Sequence, residues 1–106
     1  MINVRIYRNN EKQAIGFTVK NHGESLVCAA VSMLVINTVN SITSLTSLSE
    51  SDFRCDYNEG GGFITFFLNE TTERDYGAGL LLDAMVLGLE SVTEQHPKEV
   101  ELKECI

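Results

Sequence analysis

A chain of 106 residues with 43% hydrophobic and 22% charged side chains fits one globular domain, residues 1–106, and is neither disordered nor fibrous. Its formal net charge of −7 argues against direct contact with nucleic-acid phosphate, which needs a basic face, and is compatible with a cationic protein partner. The start, Met1-Ile2-Asn3-Val4-Arg5, has no long apolar segment, and no run reaches the roughly 18 residues of a membrane span. Cys28, Cys55 and Cys105 share no paired or metal-ligand spacing. The expectation is a cytosolic protein with reduced thiols, no cofactor, no metal and no membrane contact.

Ile2, Val4 and Ile6 alternate with Asn3, Arg5 and Tyr7, the period of a half-buried strand. After a turn at Asn9-Asn10-Glu11-Lys12, Ile15, Phe17 and Val19 alternate with Gly16, Thr18 and Lys20, so the pair predicts a hairpin. From Ser25 onward, Val27, Val31, Leu34, Thr38, Ile42 and Leu45 recur at helical spacing, with Val35 and Val39 widening the stripe. The Thr43-Ser44-Leu45-Thr46-Ser47 stretch should end that helix. Phe53, Cys55 and Tyr57 alternate as a third strand, which puts Cys55 on an apolar face as a core residue.

Asn58-Glu59-Gly60-Gly61-Gly62 is a turn. It lacks the Lys-Ser/Thr of a phosphate loop, and it leads into a strand rather than a helix. Phe63 to Leu68 is apolar on both faces, so this fourth strand is either central and covered or part of a dimer contact. Asp75 can cap a second helix with Leu80, Leu81, Ala84, Met85, Gly88 and Val92 as its core stripe, ended by His96-Pro97. Val100, Leu102 and Cys105-Ile106 suggest a last, charged edge strand. The order ββαββα with a final strand predicts an α+β domain: a two-layer structure with a mixed or antiparallel sheet and both helices on one face.

The segment with chemistry in it is Asn21 to Ser32, which joins the second strand to the first helix. It sets His22 in a short loop and Cys28 in the first helical turn, and these are the ingredients of a thiol nucleophile and its base. Ser25, three residues before Cys28, is a candidate N-cap whose hydroxyl would accept from the Cys28 amide. Both the helix dipole and the unpaired amides of a first turn favour thiolate. Ser32 lies one turn beyond Cys28, where it would orient His22, touch substrate, or simply bond its own upstream carbonyl.

This run resembles the signature of the ribosomal-processing cysteine protease (Prp) family, in which Gly-His-Ala is followed by a stretch like Asp-Ile-Val-Cys-Ala-Ala-Val-Ser. Here the residues are Asn21-His22-Gly23, then Ser25-Leu26-Val27-Cys28-Ala29-Ala30-Val31-Ser32. Asn21 and Gly23 stand where the family has Gly and Ala, and Ser25 stands where it has Asp, another good helix cap. The resemblance implies Cys28 as nucleophile and His22 as general base, with Ser32 matching a family serine. It also implies a homodimer, and as substrate the precursor of large-subunit ribosomal protein twenty-seven, which carries an N-terminal extension. Two other readings stand beside the endopeptidase: a non-catalytic dimeric binding module of the same fold on the ribosome, and a thiol redox sensor, which lacks a resolving cysteine near Cys28.

Overall fold

The structure is a computed structural model that describes residues 1–21, 25–58 and 62–105. Its elements are β1 (Ile2–Arg8), β2 (Ala14–Lys20), α1 (Leu26–Leu45), β3 (Phe53–Tyr57), β4 (Phe63–Leu68), α2 (Tyr76–Gln95) and β5 (Val100–Cys105), with a short 3-10 turn at Glu50–Asp52 before β3. Among the described residues the strands form one sheet in the order β3-β4-β2-β1-β5. β1 pairs parallel with β5, and the other neighbours are antiparallel. This is the expected α+β arrangement with a mixed sheet. β4 is an interior strand, between β3 and β2, with Phe66 and Leu68 buried toward the helices and Phe63 exposed on the other face.

Period-two patterning supplies the inner face. Ile2, Val4 and Ile6 of β1, Phe17 and Val19 of β2, Phe66 and Leu68 of β4 and Val100 of β5 are buried together with the inner stripes of both helices. Phe66 sits at the centre: its ring stacks on Phe17 at 5.5 Å between centroids and meets Phe53 at 4.9 Å. Full burial of Phe17 and of Phe66 contributes about 2–3 kcal/mol each, and Phe53 is half-buried against them. The β1–β2 register shifts between Tyr7 and Arg8, so Tyr7 faces Gly16 and Arg8 faces Ala14. Ile15 is the extra residue of this bulge, and Ala14 takes the buried place that simple alternation assigns to Ile15.

The α1 stripe keeps the expected phase, whereas that of α2 differs from it. In α1 the buried residues are Val27, Cys28, Val31, Val35, Thr38 and Ile42, while Leu34 is half-buried and Leu45 is exposed past the sheet. In α2 they are Ala78, Leu82, Met85, Val86 and Leu89, whereas Leu80 and Ala84 face outward. The run Leu80-Leu81-Leu82-Asp83-Ala84-Met85-Val86-Leu87 is apolar around most of the helix, so periodicity could not choose the inner face. Gly88 sets the helix contact: a side chain there would come within 2.7 Å of Leu34. Both helices have 20 residues, with mean hydropathies of 1.7 and 1.2, enough by length and composition to cross a membrane. Each instead lays one stripe on the sheet and leaves Leu26, Met33, Ile36, Leu80 and Leu87 exposed.

On the outer face of the sheet, Gly16 is required by close approach. A Cβ at this position would lie 2.4 Å from the Phe66 carbonyl oxygen and 2.5 Å from Phe67 Cδ1. The Phe67 ring folds over this gap and meets Tyr7 at 5.0 Å. Because the nearest obstacle is backbone, Gly16→Ala is expected to destabilise the domain by about 1–3 kcal/mol, read as a lower urea midpoint with an unchanged slope. An unchanged midpoint would show that the strand absorbs the extra methyl.

Candidate active site

Helix α1 starts where its first side chain can cap it. Ser25 has an extended backbone (φ −74°, ψ 164°), and its Oγ accepts a hydrogen bond from the Cys28 amide at 3.1 Å. The Ala29 amide closes the first turn onto the Ser25 carbonyl at 3.0 Å. Cys28 is therefore the third helical residue, its side chain on the sheet-facing side and 5% exposed. With the Cys28 amide given to Ser25, it is not an open oxyanion donor, and the first-turn amides ahead of it are those of Leu26 and Val27.

The approach to this turn is also specified. Asn21 ends β2 in the left-handed region, φ 61°, where asparagine is one of the few side-chain-bearing residues found with any frequency. This ends the extended run of β2. His22, with Gly23 and Glu24, lies outside the described residues. Ser32 Oγ donates to the Cys28 carbonyl at 2.8 Å, the back-bond of a helical serine.

Two depressions meet the start of α1. One, of about 320 Å³, is bordered by Cys28, Ser25, Asn21, Met1 and Ile2, and by Lys98 and Glu99 from the turn before β5. The backbone ties these walls together, since the Ile2 amide donates to the Glu99 carbonyl at 2.8 Å. The other, of about 450 Å³, begins one turn further along α1 at Ser32. It runs between Val35, Ile36 and Val39 on the helix and Cys55, Phe63 and Ile64 on the β3–β4 hairpin. The first mixes apolar and polar side chains and carries both charge signs, whereas the second is mainly apolar. Met1, Lys98 and Glu99 are remote from Cys28 in sequence: the antiparallel β1–β2 pairing sets Met1 beside the end of β2, and the parallel β1–β5 pairing adds Lys98 and Glu99. The apolar residues of the second depression had no signal separate from that of the core.

Cys55 thus lines a cleft as well as touching the core. Burial, followed by the neighbouring Asp56 carboxylate, pushes its thiol above the ordinary value. His96 ends α2 as its C-cap, with its amide on the Val92 carbonyl. Among the described residues no three His, Cys, Asp or Glu side chains are grouped to hold a metal ion.

A family model described as cysteine protease Prp matches residues 1–101. The ribosomal processing cysteine protease Prp of Bacillus subtilis (strain 168) is 28% identical over 104 residues, 91% of this chain and 90% of that protein. Among solved structures, the essential ribosomal processing protease Prp from S. aureus, in complex with a covalently linked product peptide, superposes with a TM-score of 0.88 at 26% identity. That match covers 99% of this chain and 100% of the other. SMU.848 from Streptococcus mutans superposes at 0.80 with 27% identity, covering 98% and 93%.

The two cleft cysteines are expected to separate by pH. Burial and a neighbouring anion both disfavour the Cys55 thiolate, so its alkylation should accelerate only above the ordinary thiol value of about 8.5. Mass spectrometry of peptides from protein pulsed with iodoacetamide across pH 5–10 measures this. Rapid labelling of Cys55 at neutral pH would contradict it.

Proposed function

Since the chain belongs to the cysteine protease Prp family, we propose that Cys28 and His22 form the dyad of an endopeptidase acting on a ribosomal-protein precursor. The observation that carries the reading is the position of Cys28: third in a capped helix, at the border of a depression and one turn from an apolar cleft. The aligned amides of a helix start favour the thiolate. In the proposed reaction His22 removes the thiol proton and the sulfur attacks the scissile carbonyl carbon, sending its electron pair to oxygen. The resulting oxyanion is held by the amides of Leu26 and Val27. The tetrahedral adduct collapses as the imidazolium protonates the departing amine, leaving a thioester. Water, deprotonated by His22, then hydrolyses the thioester and restores the thiol.

The substrate we propose is the precursor of large-subunit ribosomal protein twenty-seven, cut within its N-terminal extension. Support comes from the ribosomal processing named for the Bacillus subtilis relative and from the peptide carried by the S. aureus protein. The net charge of −7 suits a basic partner. The apolar cleft between α1 and the β3–β4 hairpin fits uncharged side chains of a peptide passing Cys28. We propose a homodimer as the working form, supported by the exposed apolar side chains of Leu26, Met33, Ile36, Leu80 and Leu87 on the helices.

The test is cleavage of a synthetic peptide spanning the precursor's extension, followed by mass spectrometry. Wild type should release two fragments; Cys28→Ala should lose activity to background, and His22→Ala should lose about 10²–10⁴-fold in kcat. If Cys28→Ala cleaves like wild type, the nucleophile assignment is wrong. If wild type binds the peptide in sedimentation but never cuts it, the non-catalytic binding module takes the place of the enzyme.

A further inference from the structure

The charge of this molecule is distributed unevenly between its faces. In β1 to β5, the strand residues alternating with the buried ones point away from the helices. On that outer face the basic residues are Arg5, Lys20, Arg54 and Lys103, and the acidic ones are Asp56 and Glu101. The whole chain has only eight basic residues against 15 acidic ones. Arg5 and Lys103 sit directly opposite each other in the parallel pair, an arrangement that intramolecular stability disfavours. Lys103 turns to Glu101 at 3.6 Å, but Arg5, Lys20 and Arg54 form no ion pair among the described residues. The middle of the face is aromatic. Phe67 and Tyr7 meet over Gly16, and Arg54 is the cross-strand partner of Phe67 on its other side.

We propose that this sheet face is a docking surface for single-stranded RNA, with Arg5, Lys20 and Arg54 on phosphates and the Tyr7–Phe67 pair under a base. Net charge alone points the other way, but screening makes the local face decide. The molecule is 20 Å through its thinnest extent, whereas charges beyond about 8 Å are largely screened at physiological salt. Unpaired cations flanking aromatic rings match the alternation of phosphate and base along a single strand. An acidic peptide would satisfy the cations and leave the rings without a counterpart. A membrane would need apolar side chains projecting beyond the surface, and these two rings lie half-buried across the sheet. A second copy would have to bring two cationic faces together. The proposal goes beyond the protease reading and does not rest on it.

The experiment is fluorescence anisotropy of a fluorescein-labelled 12-nucleotide oligouridylate titrated with the full chain from 25 to 150 mM salt. Three phosphate contacts predict a log–log salt slope of about −2. Arg5→Glu/Arg54→Glu should weaken binding at least tenfold, with the circular dichroism spectrum and melting unchanged. Lys12→Glu/Arg74→Glu, the same charge change off this face, should stay within twofold, and peptide cleavage by Arg5→Glu/Arg54→Glu should match wild type. Should the reversed pair prove unfolded, Arg54→Gln serves in its place, with a smaller loss and a shallower slope expected. The proposal is overturned if wild type leaves the anisotropy flat, or if both double variants lose equally. It is also overturned if phosphatidylserine vesicles or poly-glutamate, and not RNA, respond to the face variants. A change in the sedimentation coefficient of RNA-free Arg5→Glu/Arg54→Glu would assign the face to a second copy instead.

Discussion

The hydrogen bond from the Cys28 amide to Ser25 Oγ sets the start of α1, and much of the site's geometry follows from that start. It makes Cys28 the third helical residue, which fixes the angle at which its side chain leaves the helix relative to Val27, Val31 and Val35. Those residues lie on the sheet, so the thiol is carried to the sheet-side edge of the helix start and not to open solvent. A start one residue earlier or later would rotate the thiol by about 100°, since the helix has 3.6 residues per turn, and would take the valines off the sheet with it. Capping and core packing therefore enforce the same register. The proposed nucleophile is held by the same contacts that stabilise the helix.

The sheet supplies the rest of the surroundings. Its parallel β1–β5 edge brings Lys98 and Glu99 beside the helix start, and its β3–β4 hairpin forms the far wall of the apolar cleft. Between these, β2 delivers the chain to Asn21, whose left-handed backbone starts the connection to the helix. An asparagine there makes physical sense of its replacing the family's glycine, because both residues adopt positive φ at little cost. The Ser25 exchange is similar: serine does as a cap what aspartate would do. Two departures from the family pattern thus keep the backbone function of the position while changing the side chain.

The order of elements was legible because each signal was local. Alternation marked β1, β3 and β5, Ser25 and Asp75 marked both helix starts, and His96-Pro97 marked the end of α2. Less legible was anything that depended on which of several apolar residues turns inward. α2 buries Leu82 and Val86 rather than Leu80 and Ala84, and Ala14 replaces Ile15 through a bulge that only cross-strand pairing reveals. In the site, Cys28 with its Ser25 cap could be read from spacing. The clefts could not, since they join residues some 20 to 70 positions away from Cys28 through the sheet. The use of the Cys28 amide by the cap needed the atomic geometry.

The central claim is that the capped helix start, together with His22, holds Cys28 as a thiolate. Its most direct test is the pH dependence of Cys28 alkylation in a Cys55→Ala/Cys105→Ala background, with and without Ser25→Ala and His22→Ala. A rate already at its plateau near neutral pH, with the midpoint moving upward in both variants, is the result predicted. A midpoint near the free-thiol value of about 8.5 that neither substitution moves would mean an ordinary cysteine, and would contradict the account.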